Sequence, residues 1–155
     1  MSTPSAPTTA AIGPLTPYIV VGQAAQAIDF YCRVFGARED FRLSEPSGKV
    51  GHAELLLGHS RLMLADEYPD FGALAPASVG GTPVSLHLYV ADVDATMAQA
   101  EEAGATVLRA AKDEFYGDRS GQLLDPFGHR WQISTRGAPV SPAEMQRRWS
   151  AMLGG

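Results

Sequence analysis

Cysteine is nearly absent: the 155 residues hold a single one, Cys32. One thiol can form neither a disulfide within the chain nor a multi-cysteine zinc site. Basic charge is scarce as well. Twelve Lys and Arg stand against seventeen Asp and Glu, a net charge of −5, and no basic run exceeds the pair Arg147-Arg148. No basic face or stripe is therefore available for a nucleic-acid backbone or an anionic membrane surface. No apolar run approaches the ~18 residues needed to span a bilayer. The first residues, MSTPSAPTTAA, have neither a basic start nor an apolar core. They set the expectation of a flexible tail over residues 1–14, no secretory signal and a cytoplasmic protein.

What is present is globular. Hydrophobic residues make up 45% of the chain and charged ones 19%. A chain of this length buries roughly two thirds of its unfolded surface without a metal or disulfide staple. It is also self-similar. Tyr18-Ile19-Val20-Val21 lies over His87-Leu88-Tyr89-Val90, and Arg61-Leu62-Met63-Leu64 over Arg130-Trp131-Gln132-Ile133, each at an offset of 69 (87 − 18 and 130 − 61). Phe35-Gly36-Ala37 matches Ala103-Gly104-Ala105 with a slip of one. Each half reads as strand, helix, glycine stop and three strands.

Local signals place those elements. Residues 17–21 are β-rich, and 23–35 carry Ile28, Tyr31, Cys32 and Phe35 on one helical face, closed by Gly36. Strands are expected over 37–43, 50–57 and 61–65, with a turn at Glu45-Pro46-Ser47-Gly48. In the second half Asp92 caps a helix running toward Ala103, with Val93, Met97 and Ala100 inward. Strands follow over 105–109, 122–124 and 130–135, the last two joined by the turn Asp125-Pro126-Phe127-Gly128. Two stretches read as long loops, 66–83 and 112–121. Ser141-Pro142-Ala143-Glu144 is a capping box with proline at its first helical position, opening a helix through about Met152.

A duplicated βαβββ unit ending in Asp-Pro-Phe-Gly-His-Arg-Trp resembles the vicinal oxygen chelate superfamily of glyoxalases, bleomycin resistance proteins and extradiol dioxygenases. Thr16-Pro17-Tyr18, Ala27-Ile28-Asp29-Phe30-Tyr31, Gly51-His52-Ala53-Glu54-Leu55 and Tyr116-Gly117-Asp118-Arg119-Ser120-Gly121 are similar to its PhnB-like branch. The resemblance implies an α+β fold of two tandem βαβββ modules, forming a cupped mixed sheet around a cavity with the helices outside. One domain would span 15–136 (module one 15–67, linker 68–83, module two 84–136), with a C-terminal helical extension over 137–155. It further implies a homodimer and a small-molecule ligand or substrate.

Metal-dependent members of that superfamily hold Zn, Ni, Mn or Fe with side chains from the first and last strand of each module. Carried over at the 69-residue offset, the four positions are Tyr18, Met63, His87 and Gln132. A phenol must lose a proton at pKa ~10 to become a good ligand, and a thioether is soft. His87 is the one strong candidate ligand, and one imidazole with one amide oxygen is too few for tight binding. Two readings follow. In the first, the chain is a binding protein with a degenerate metal site, holding an aromatic or amphipathic molecule with Tyr18, Met63, His87, Gln132, Tyr116 and Arg119. Arg119 would there clamp an anionic group through its planar fork. In the second it is a metal-dependent glyoxalase-like lyase or isomerase moving a proton next to a carbonyl. Glu54 and His52, two apart on one strand and so on one sheet face, would then supply the base and its partner respectively.

Overall fold

The repeat is built twice over in the structure, a computed structural model in which residues 13–154 are described. All but Gly13 and Pro14 of the expected tail lies outside those residues. In the first half β1 (Tyr18–Val21) leads into α1 (Ala24–Phe35), followed by β2 (Arg38–Ser44), β3 (Val50–Leu57) and β4 (Ser60–Asp66). Burial alternates along β1 and over His52–Leu55 of β3, as period-two side-chain placement requires of a sheet with one covered face. Ile19, Val21, Ala53, Leu55, Leu62 and Leu64 are buried on the face that α1 covers with Ala24, Ala27, Ile28, Tyr31 and Val34. Cys32, expected on the inner face of α1, is only half-buried. The strand order is β1-β4-β3-β2, with β1 parallel to β4 and the other pairs antiparallel.

The stretch expected as a loop over 66–83 carries a 3-10 turn at Pro69–Phe71 and the single-turn helix α2 (Pro76–Val79), each opened by proline and closed by a left-handed glycine. The second half has β5 (Ser85–Tyr89), α3 (Val93–Glu102), β6 (Thr106–Asp113), β7 (Arg119–Leu124) and β8 (Arg130–Thr135). Its sheet has the corresponding order, β5-β8-β7-β6. The chain divides into two compact units between Thr82 and Pro83, one sheet in each. The helix expected after Ser141 is α4 (Pro142–Met152), where the Ser141 hydroxyl accepts from the Glu144 amide. It rests on its own unit through the Trp149 ring against Phe115 and an Arg148 hydrogen bond to the Phe115 carbonyl, 2.8 Å.

Duplication reaches the hydrogen bonds. The Asp66 carboxylate, buried at the end of β4, accepts from the Ala24 amide that opens α1 and from the Val50 amide, both at 2.8 Å. Thr135, at the end of β8, accepts from the Val93 amide that opens α3, also at 2.8 Å. Both the caps and the helix starts differ by 69 residues (135 − 66 and 93 − 24). Last-strand side chains thus anchor first-helix amides that have no partner within the helix.

The same symmetry corrects the loop expected over 112–121. Instead, β6 and β7 continue as a hairpin whose turn repeats the first one. Glu45 N donates to Lys49 O and Gly48 N to Glu45 O; Glu114 N donates to Asp118 O and Gly117 N to Glu114 O. Gly48 and Gly117 both take the left-handed backbone that such a turn needs. Register shifts on either side of Arg109 spoil strict alternation, so β6 does not read as one strand in the sequence.

Candidate functional site

In module one the sheet face turned away from α1 carries a row set by register: Tyr18 beside Met63, Met63 beside Glu54, Glu54 beside Phe41. His52 and Arg61 lie two residues along from Glu54 and Met63 on the same face. The polar members form one chain. The Tyr18 hydroxyl lies 2.9 Å from His52 Nδ1, and His52 Nε2 lies 2.8 Å from Glu54 Oε2. Glu54 Oε1 accepts from Arg61 Nη1 at 2.7 Å, and the same nitrogen reaches Asp40 Oδ2 at 3.0 Å. Exposure falls along the chain, from 50% for Tyr18 to 24% for the His52 side chain, 12% for Glu54 and none for Arg61. The Phe41 and Tyr18 rings lie against the imidazole, with centroids 5.7 and 5.4 Å away.

Glu54 accepts from the Arg61 guanidinium, so as a carboxylate it also accepts at Oε2, placing the imidazole proton on Nε2. In the neutral imidazole that carries this proton, Nδ1 offers a lone pair to the Tyr18 O–H. Burial, and after it the charge of Glu54, push the Tyr18 phenol above its ordinary pKa, so it stays protonated. Both oxygens of Glu54 are engaged by protein partners, Oε2 by His52 and Oε1 by Arg61.

Module two builds a comparable row without charge at its centre: His87 beside Gln132, Gln132 beside Gln122, Gln122 beside Arg109. Its hydrogen bonds run Gln132 Nε2 to the Tyr116 hydroxyl (3.1 Å), Tyr116 to Ser120 Oγ (3.1 Å) and Ser120 to Glu114 Oε1 (2.9 Å). Arg109 donates to Ser120 Oγ and pairs with Glu114 at 2.7 Å. His87 Nε2 lies 2.8 Å from Ser134 Oγ, and its ring stacks on Tyr89, which carries the Arg136 guanidinium 3.7 Å from its ring centroid. Burial lowers the His87 pKa; Asp118 opposes that shift and Arg136 reinforces it, so the imidazole is neutral at pH 7.

The expected residues therefore separate into groups. Tyr18, Met63, His52 and Glu54 share one face of module one, while His87, Gln132 and Tyr116 share one face of module two. Arg119 does not join them. Odd-numbered residues of β7 face α3, and the Arg119 fork is occupied by both oxygens of Asp94 (2.8 and 3.0 Å) and by Asp113 (3.2 Å). It borders a hollow of about 270 Å³ at the start of α3, with Asp92, Thr135 and Arg136. Sequence reasoning missed Arg61, Asp40, Arg109, Ser120, Glu114 and Gln122. A signal existed for some: Arg61 directly precedes the apolar run Leu62-Met63-Leu64-Ala65, and Gln122 follows Glu54 by 68 (122 − 54).

A model of the Glyoxalase/Bleomycin resistance protein/Dioxygenase superfamily matches residues 11–133, and the chain belongs to that superfamily. An uncharacterized protein of Mycobacterium bovis is 45% identical over 141 residues, covering 89% of this chain and 91% of its own. Among solved structures, TioX from Micromonospora sp. ML1 is similar, with a TM-score of 0.62 and 27% identity, covering 80% of this chain and 98% of TioX. The PhnB protein from Bacillus cereus shares the fold, with a TM-score of 0.63 at 19% identity, covering 79% of this chain and 99% of that protein.

The side chains at the metal positions implied by the resemblance do not fit a divalent cation. Module one offers a phenol kept protonated and hydrogen-bonded to His52, beside a thioether. Module two offers an imidazole, bonded at Nε2 to Ser134, and an amide whose nitrogen donates to Tyr116. Neither pair supplies a carboxylate.

Proposed function

We propose that the chain is a small-molecule-binding protein of the glyoxalase/bleomycin-resistance type whose metal site is degenerate, and that it takes an aromatic or amphipathic ligand on a sheet face turned away from the helix of its module. The observation that carries this reading is the state of the positions just described: the Tyr18 hydroxyl, His87 Nε2 and Gln132 Nε2 each bond to a protein partner, while the Tyr18 and Tyr89 rings stay about half exposed. Partly exposed aromatic rings beside a few fixed polar groups suit a flat, largely apolar ligand. The net charge of −5 favours a small-molecule partner over nucleic acid or an anionic membrane. The reading includes a homodimer acting in the cytoplasm.

The test pairs metal analysis with ligand titration. Protein purified without a metal-affinity tag or chelator is expected to carry no stoichiometric Zn, Ni, Mn or Fe, and to gain no thermal stability when those ions are added. Calorimetry with a panel of aromatic compounds is expected to find saturable binding, weakened by Tyr18→Ala. One metal ion per chain would overturn the reading.

A further inference from the structure

We propose that Tyr18, His52 and Glu54 form a proton relay that accepts the proton of a phenolic ligand, with Arg61 and Asp40 as positioning residues. The proposal rests on the reading of the chain as a binder of aromatic molecules, and names the ligand's chemical class and the residue that meets it.

Three observations carry it. First, the chain of hydrogen bonds has its most exposed member at Tyr18, and each later one is more buried than the one before until Arg61 is fully covered. Second, the surroundings of the Tyr18 hydroxyl suit an aromatic body: Met63 lies beside Tyr18 in register, and the Phe41 ring packs on His52. Third, module one holds a charged pair at two positions where module two has neutral side chains. Module two makes the same sheet with Gln122 where Glu54 stands and Ser120 two residues before it, where His52 stands.

The step balances. The ligand O–H bond breaks and its proton passes to the Tyr18 oxygen. The proton of Tyr18 passes to His52 Nδ1, which becomes an imidazolium whose Nε2–H remains on Glu54 Oε2. The ligand is left as a phenolate hydrogen-bonded to Tyr18, and no oxidant or reductant takes part. Because Tyr18 gives a proton as it takes one, it never passes through a phenolate of its own. Arg61 and Asp40 hold Glu54 in place, and the Glu39–Arg42 ion pair is the other charged pair on β2.

The test uses 4-nitrophenol, whose ionised form is read by its visible absorbance, with the full chain at a pH where the free probe is mostly protonated. Bound probe is expected to show a phenolate-to-phenol ratio raised about tenfold, the size of one added charge-assisted hydrogen bond. The His52 ring resonance should move at the same time to its imidazolium position. Tyr18→Phe and His52→Gln, checked for an unchanged far-ultraviolet spectrum, should bind the probe and lose the shift. Glu54→Gln should reduce it. Bound probe that stays protonated, or a shift that survives in Tyr18→Phe and His52→Gln, would overturn the relay and leave the binding reading intact. Failure of 4-nitrophenol to bind at all would overturn the aromatic-ligand reading and the relay together.

Discussion

Arg61 shows how much one side chain decides. Its guanidinium is fully buried and joins Asp40 on β2 to Glu54 on β3 while belonging to β4 itself. Removing one partner of a buried ion pair leaves the others charged in a poor solvent, a loss of about 3–5 kcal/mol. Arg61→Met is expected to lower the unfolding free energy by that order in a urea titration, far more than substituting the exposed Arg33, paired with Asp29 on α1. His87 gives a prediction in pH. Its folded pKa lies below the usual value of ~6.5, so the unfolded chain binds the proton more readily than the folded one. The stability it contributes is present above the unfolded value and lost as pH falls through the folded one. Its ring resonances should titrate with a midpoint below that of free histidine. Arg136→Gln should raise the midpoint and Asp118→Asn should lower it further.

Elements were legible wherever period and punctuation agreed. The face of α1, the glycine after it and the capping box of α4 are local features, fixed by side-chain spacing and by backbone amides that need acceptors. Between β6 and β7, Lys112, Asp113 and Arg119 masked a hairpin, because ion pairs satisfy charged residues at the end of an edge strand. Close packing of α3 on its sheet gives a test at this scale. A methyl group added at Gly121 would meet Met97 Cε at 2.9 Å and the backbone of Arg109 and Ala111 at 3.0 Å. Gly121→Ala is therefore expected to cost about 1–3 kcal/mol, read as a lowered Tm. Leu55, fully buried under α1, should cost about 2–5 kcal/mol on truncation to alanine.

For the whole molecule, duplication is the governing fact. One strand order serves both sheets, and the offset of 69 residues recurs in the anchoring of α1 by Asp66 and of α3 by Thr135. The homodimer expected of this chain is checked by light scattering on the full-length protein, which should report two chains per particle. By itself the sequence determined the βαβββ repeat, the family, and the chemical types at Tyr18, Met63, His87 and Gln132, because hydrophobic period, glycine stops and residue identity are properties of the chain. Tertiary structure alone decided how those groups are used. Whether a phenol faces an imidazole, whether a carboxylate is held by a buried guanidinium, and whether the Arg119 fork is already filled depend on register and on strand parity. Shifting a strand by one residue turns every side chain to the other face, and local sequence sets no such register across strands that are far apart in the chain.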